Sequence, residues 1–254
     1  MAGERIIRRG PIVVGGTLTQ WANYALDLPV KIAEAYDATI GYKQTGHAAT
    51  AWTATVGFEF MEVGRNLGTL GLGSYTGATF SEYTLRLECD IQEATGGSDD
   101  WQRWAVKNYG WQLDITRWQA NEAAAVFLAL LETQTDTPWA AVAATTPYGG
   151  GEAYISKSAL SGGDRPSDET LTAVGKGAFT PTVEDPDGLI ALLLAQIADA
   201  VTNDFATPTA IDFPEGYGAA FISSMELTVP SHDAVTATLE LQGDGDFTLG
   251  TRPE

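Results

Sequence analysis

Cysteine and histidine are scarce in this chain of 254 residues. It has one cysteine, Cys89, and two histidines, His47 and His232. One cysteine cannot form a disulfide within the chain, and these three residues fall short of the four ligands of a structural zinc site. Basic residues number 14 against 33 acidic ones, which gives a formal net charge of −19. A surface this acidic repels nucleic-acid and membrane phosphates rather than binding them.

Long apolar runs and catalytic signatures are also missing. The longest apolar run, residues 189–195, is far shorter than the ~18 residues that span a bilayer. The apolar stretch after Arg5, Arg8 and Arg9 is too short for a signal peptide, so we expect neither an export signal nor a membrane anchor. The chain has no Gly-x-Ser-x-Gly elbow, His-Glu-x-x-His motif or P-loop. We therefore predict no enzymatic activity, no cofactor and no metal.

What the chain has instead is repeated alternation of apolar and polar residues, which is typical of half-buried β-strands. Residues 221–229 and 235–241 alternate in this way on either side of a turn at residues 230–233, which predicts a hairpin with one dry and one wet face. The clearest run covers residues 80–92. Its polar side carries Glu82, Thr84, Arg86, Glu88, Asp90 and Gln92. The predicted fold class is mainly β.

Two segments have helical periodicity instead. Residues 123–131 form one apolar stripe after a capping Asn121, and residues 189–201 form another after Asp185 and Pro186. The sequence also repeats itself, because Ala-Tyr-Ile-Ser at 153–156 recurs as Ala-Phe-Ile-Ser at 220–223. We interpret this as an internal repeat of residues 121–180 and 188–248. A chance resemblance between two hairpins is the alternative.

The C-terminal hairpin carries a resemblance to a known family. Ala-Phe-Ile-Ser-Ser at 220–224, Asp-Ala-Val-Thr at 233–236 and Leu-Gln-Gly-Asp-Gly at 241–245 resemble the same hairpin in major tail tube proteins of long-tailed viruses. Residues 101–132 are similar to that family in the order of their elements. The resemblance implies a tail-tube-type β-sandwich or barrel with one or two flanking α-helices and a long stacking hairpin.

The resemblance also implies a function. The chain would be a structural virion protein, assembled in the host cytoplasm, whose stacked hexameric rings form the hollow tail tube that conducts viral DNA during ejection. Its partners would be copies of itself and other tail proteins (terminator, tape measure, baseplate or distal tail). Viral DNA would pass without specific binding, and no membrane would be involved. The acidic balance favours a virus of a halophilic archaeon, because concentrated salt screens the repulsion between carboxylates.

Three regions are assigned expected roles. Residues 1–20 are interpreted as an arm that reaches a neighbouring subunit, with a frayed terminus as the alternative, and residues 21–254 as one tail-tube-like domain. The candidate lumen face, for which an ordinary solvated surface is the alternative, consists of Glu82, Arg86, Glu88, Asp90, Glu240 and Asp244. The candidate inter-ring loop contains Gly64, Gly68, Gly71, Gly73 and Gly77.

Two other functions remain open at this point. The chain could be a secreted acidic β-sandwich that binds or cleaves carbohydrate, with Trp101, Trp104 and Trp111 as a stacking platform. It could also be another ring protein of the tail, such as a terminator, which would share the same fold.

Overall fold

The fold was analysed in a computed structural model of the chain. The structure describes residues 4–15, 18–29, 32–37, 42–47, 51–60, 70–73, 75–76, 80–96, 102–119, 141–161, 167–182, 207–230 and 233–252, together with residues 188 and 195. Within these ranges the strands are β1 (Glu4–Val14), β2 (Leu18–Leu28), β3 (Ile32–Asp37), β4 (Tyr42–His47), β5 (Thr53–Phe60), β6 (Gly71–Leu72), β7 (Tyr75–Thr76), β8 (Phe80–Glu93), β9 (Trp104–Gln119), β10 (Val142–Thr146), β11 (Gly149–Ser161), β12 (Ser167–Pro181), β13 (Thr209–Phe213), β14 (Gly216–Pro230) and β15 (Val235–Leu249).

The predicted β fold class is confirmed, and six of the strands form a closed barrel. Their order is β13-β1-β2-β5-β15-β14, and the pairing of β13 with β14 closes the ring. From β14 the same sheet continues through β8-β9-β12-β11-β10-β6-β7, while β3 and β4 form a separate hairpin. Strand β14 belongs to both parts, because residues 216–220 pair with β13 and residues 224–230 pair with β8.

The alternation in the sequence explains which side of each strand is buried. In β8, Tyr83, Leu85 and Leu87 are at most 1% exposed, whereas Glu82 before them and Glu88 after them are exposed. Successive side chains of a strand point to opposite faces, so one face packs into the core and the other faces solvent. Each large apolar side chain buried in this way contributes about 1.5–3 kcal/mol relative to its exposed state.

Several sequence-based expectations fall outside the described residues. The two predicted helices, at residues 121–131 and 189–201, lie there except for residue 195, and so do Gly64, Gly68 and Gly77. The other two loop glycines lie within the described residues. Gly71 lies in β6, which pairs with β10, and Gly73 adopts a left-handed turn with φ 61°. Gly71 therefore belongs to the sheet, and Gly73 lies in the turn of the short β6–β7 hairpin.

The strand triplet β10–β11–β12 matches the triplet β13–β14–β15 in register. Ala153 pairs with Gly175, and 67 and 68 residues later Ala220 pairs with Gly243. Both hairpins have a β-bulge at the same place, after Ile155 and after Ile222. Bulges arise from specific local geometry, so their coincidence shows that the two hairpins are built alike.

The correspondence extends to the other strands. Leu26 of β2 pairs with Ala54 of β5, and 59 residues later Leu85 of β8 pairs with Leu113 of β9. Strand β1 corresponds to β6, because each is followed directly by a glycine in the left-handed conformation. Gly15 N donates to Ala210 O at 2.8 Å, and Gly73 N donates to Ala143 O at 2.7 Å.

At the equivalent position of the two hairpins, a tryptophan packs on a glycine. A Cβ on Gly243 would lie 2.3 Å from Trp52, and a Cβ on Gly175 would lie 2.2 Å from Trp111. Each indole also meets a phenylalanine edge-on, at a centroid distance of 5.3 Å for Phe247 with Trp52 and 5.4 Å for Phe179 with Trp111. Only glycine leaves room for an indole this close to the strand.

The chain thus contains two equivalent sets of strands. Unit A consists of β1, β2, β5, β13, β14 and β15, which form the closed barrel. Unit B consists of β6, β7, β8, β9, β10, β11 and β12, where β7 pairs with β6 much as the start of β2 pairs with β1. The two units are joined where β14 of unit A pairs with β8 of unit B.

Candidate functional site

The candidate functional surface on the described residues is the solvent-exposed side of nine consecutive strands, β1-β2-β5-β15-β14-β8-β9-β12-β11. We call it the polar face. Directly paired residues form rows across it, and such neighbours contact one another on one side of a sheet. One row runs Glu88, Ser224, Glu240, Thr55, Ala25, Ile7. Another runs Glu59, Thr236, Thr228, Thr84, Asp114, Thr172, Lys157.

Five of the six predicted lumen residues lie on this face, namely Glu82, Arg86, Glu88, Asp90 and Glu240. The sixth, Asp244, does not share their exposure, because it is 8% exposed and its carboxylate accepts hydrogen bonds from Arg103 Nη1 at 3.1 Å and Trp104 N at 2.9 Å. The bulge between β14 and β15 near Gly243 interrupts the alternation there. Asp244 therefore positions the chain before β9 instead of facing solvent.

An ion-pair network crosses the junction of the two units on the polar face. Arg86 Nε donates to Glu226 Oε2 at 2.7 Å, and Arg86 Nη1 donates to Asp114 Oδ2 at 2.8 Å. Thr172 Oγ1 donates to the other oxygen of Asp114 at 2.7 Å. Solvent-exposed pairs of this kind contribute at most about 1 kcal/mol each. The network therefore connects β14, β8, β9 and β12 in one register, and its contribution to stability is small.

The same network determines the electrostatics at the centre of the face. The hydrogen bond with Glu226 is the main cause that raises the pKa of Arg86, so this guanidinium stays charged. Two carboxylates surround that single positive charge. The sequence analysis did not identify Asp114 or Glu226 as site residues, although both lie on the polar side of an alternating run.

A depression of about 540 Å³ lies beside Arg86 on the polar face and is lined by Glu88, Glu240, Ser224 and the backbone around Cys89 and Met225. Burial raises the pKa of the Cys89 thiol to about 12. At neutral pH the thiol is therefore protonated and a poor nucleophile. Among the described residues, no group of three or more His, Cys, Asp or Glu side chains is placed to hold a metal ion.

The predicted aromatic platform is not an exposed surface in the described part of the chain. Trp111 is 3% exposed and packs on Gly175, and its Nε1 donates to Gly177 O at 3.1 Å. Trp104 is partly buried against the core, and Trp101 lies outside the described residues. A carbohydrate ring could not stack on Trp111 without displacing β12.

The two units differ at one sheet edge. In unit A, residues 224–230 of β14 pair with β15 on one side and with β8 on the other. The equivalent residues of β11, 157–161, pair with β12 on one side. On their other side no described strand pairs with them. An unpaired strand edge exposes backbone donors and acceptors and can accept another strand.

No family model and no curated protein match the chain. Among solved structures, it is similar to a chain from the virion of a native gene transfer agent particle, with a TM-score of 0.38 and 12% sequence identity. The match covers 45% of this chain and 96% of that chain. Within the described residues, no helix has the length and apolar character needed to cross a membrane.

Proposed function

We propose that this chain is a structural virion protein that forms the tail tube of a long-tailed virus. In this proposal, chains close side by side into rings, and the rings stack into a hollow tube. The observation that supports it best is the junction between units A and B, where β14 pairs with β8 and makes one sheet of two equivalent barrel-type units. A junction that joins like units within a chain can also join like units between chains.

The two units also suggest how a ring is composed. The family resemblance implies six positions in a ring. Since each chain supplies two equivalent units, three chains fill those six positions, and every second junction lies within a chain. Such a ring is a closed cyclic assembly with one repeated type of contact, as is common in homo-oligomers.

The polar face suits the wall of a DNA channel. Its carboxylates, including Glu82, Glu88 and Glu240, repel the phosphate backbone, and Arg86 is paired with two carboxylates. A protein that binds DNA gains affinity by neutralising phosphates with Lys and Arg. Because the two carboxylates already pair with Arg86, this cation offers little to a phosphate, and such a wall lets DNA pass without holding it. The proposed mechanism is passive, and no bond is made or broken.

Electron microscopy of the purified chain, at low and at molar salt, tests the proposal. We expect hollow rings or rods, with threefold symmetry in class averages of single rings. Assembly that needs molar salt would support the expected halophilic host, because salt screens the repulsion of a chain with net charge −19. Monomers at both salt concentrations and at high protein concentration would overturn the proposal.

A second experiment tests the channel wall. In reconstituted virus particles, replacing Glu82, Glu88 and Asp90 by Lys should leave rings intact and slow DNA ejection, because the new cations bind phosphate. The control replaces Asp233, which is also exposed but lies in the turn before β15 and outside the polar face, by Lys. Equal ejection rates for the two variants would place the lumen elsewhere.

A further inference from the structure

We infer that the first half of β1, residues 4–9, is a removable cap, and that β11 of a second copy of this chain displaces it from β2 during assembly. This inference deepens the proposed ring assembly and rests on it. It names the two surfaces that meet between chains, the free edge of β11 and the edge of β2. The partner at both surfaces is another copy of this chain.

The argument begins with the equivalence of β2 and β8. On β8, residues 82–87 pair with residues 230–225 of β14. The equivalent residues of β2, 23–28, pair with residues 9–4 of β1. The start of β1 thus occupies on unit A the place that β14 occupies on unit B. By this equivalence, a β14-type strand belongs on β2 when the units form a ring.

The cap fits this place less well than β14 fits β8. On the core side of β14, Met225, Leu227 and Val229 are 1–2% exposed. The equivalent positions of β1 carry Glu4, Ile6 and Arg8, so only one of the three is apolar. A charged side chain gains nothing from burial in the core unless it is paired. The cap therefore lacks most of the apolar contact that holds β14 against β8.

Other contacts of the cap are weak or exposed. The side chains of Arg5 and Asp27 are 65% and 44% exposed, and their closest approach is 3.5 Å. Arg8 Nη1 lies 3.0 Å from Glu215 Oε1, where the Arg8 side chain is 65% exposed but the Glu215 side chain only 14%. Ile7 is 72% exposed. The exposed Arg5–Asp27 pair contributes less than about 1 kcal/mol, so the backbone ladder and the Arg8–Glu215 pair hold most of the cap in place. When the cap leaves, Glu215 keeps the hydrogen bond that Tyr24 OH donates to it at 2.6 Å.

The strand that fits the vacated place is β11. Residues 224–230 of β14 correspond to residues 157–163, of which 157–161 are described and pair on one edge with β12 and on the other with no described strand. If β11 of a second copy takes the register of β14, Leu160 comes opposite Leu26, as Leu227 is opposite Leu85. Backbone hydrogen bonds are then exchanged for equivalent ones, and the apolar pair with Leu26 is kept, because Leu160 takes the place of Ile6. Ser158 takes the place of Glu4 opposite Leu28, so a charged residue is removed from the core side.

The charges also match in this register. Lys157 would lie diagonal to Asp27 on the polar face, and diagonal neighbours are within reach of a long side chain. Asp27 would exchange Arg5 for Lys157 and keep a cation beside it. The displaced segment carries Arg5, Arg8 and Arg9 and becomes free to contact the acidic surface of another copy. This gives a physical role to the N-terminal arm that the sequence suggests.

A disulfide lock tests whether the cap must leave. In a Cys89→Ala background, Ile7→Cys with Ala25→Cys joins β1 to β2 at directly paired positions. The matched control, Thr228→Cys with Thr84→Cys, locks the equivalent pair inside the chain. We expect the oxidised Ile7–Ala25 lock to stay monomeric and to form rings after reduction. The control should form rings in both states. Rings from the oxidised lock would overturn the inference but not the ring assembly.

A cross-link between chains tests the new contact itself. Chains with Ala25→Cys are mixed with chains carrying Ser161→Cys, which the proposed register places opposite residue 25. We expect covalent dimers on a non-reducing gel, and none when Ser161→Cys is replaced by Ser158→Cys, which lies on the other side of β11. If the background protein forms no rings, the proposed function fails. The absence of cross-linked dimers would overturn the strand exchange whether or not rings form.

Discussion

The buried ion pair of unit B gives the sharpest test of the equivalence between the two units. Arg117 Nε lies 2.6 Å from Glu169 Oε2, and the two side chains are 8% and 0% exposed. The residues are directly paired on β9 and β12. The equivalent pair in unit A, on β5 and β15, is Phe58 with Ala237. One unit thus has a buried ion pair where the other has an apolar contact.

Two variants separate two effects on the free energy of unfolding. One removes a single partner of the ion pair, and the other replaces both partners by apolar residues. Glu169→Ala removes the carboxylate that pairs with the buried guanidinium of Arg117, and breaking a buried ion pair in this way costs about 3–5 kcal/mol. This is a large share of the ~5–15 kcal/mol that stabilises a typical domain. The double variant Arg117→Phe, Glu169→Ala installs the residues of unit A. Replacing a buried ion pair by apolar residues of suitable size is neutral or stabilising by about 1–4 kcal/mol.

Urea unfolding followed by tryptophan fluorescence measures both effects as changes in the free energy of unfolding. The control is Glu152→Ala, which removes the exposed partner of Lys176 at 3.4 Å and should change stability by less than about 1 kcal/mol. The reasoning is refuted if Glu169→Ala is as mild as this control. It is also refuted if the double variant is as unstable as the single one, because Phe58 and Ala237 would then not mark an equivalent environment.

Two further predictions concern other buried positions. Gly243→Ala should destabilise the chain markedly, because its Cβ would lie 2.3 Å from Trp52, whereas Gly110→Ala, with open space around its Cβ, should have little effect in the same urea assay; equal effects would argue against the indole contact. Because burial raises the pKa of folded Cys89 from 9.0 to about 12, the unfolded chain loses this proton first, so the free energy of unfolding should fall as pH rises from about 9 to 12. Cys89→Ala should show a shallower fall over that range, and identical slopes would contradict the assignment.

The sequence alone determined which side of many strands is buried. Tyr83, Leu85 and Leu87 alternate with polar residues, and the structure buries the former and exposes the latter. This succeeds because the period of a strand is a local property of the backbone. The same reasoning failed at Asp244, where a bulge interrupts the period and the carboxylate is drawn to Arg103 and Trp104. Nor did it show that Gly71 lies in a strand, because its partner β10 lies more than 70 residues away.

Only the tertiary structure decided which strands pair and which positions are equivalent. The sequence repeat is visible at Ala153 and Ala220, but β2 and β8 correspond through register rather than through an obvious motif. The junction of the units brings Arg86 to Glu226, 140 residues away. Local periodicity shows which side chains are buried. Strand pairing depends on how edges that are distant in the sequence fit together, and this is determined by the sheet as a whole. The place of residues 4–9 on β2, and hence their role as a cap, follows from that choice.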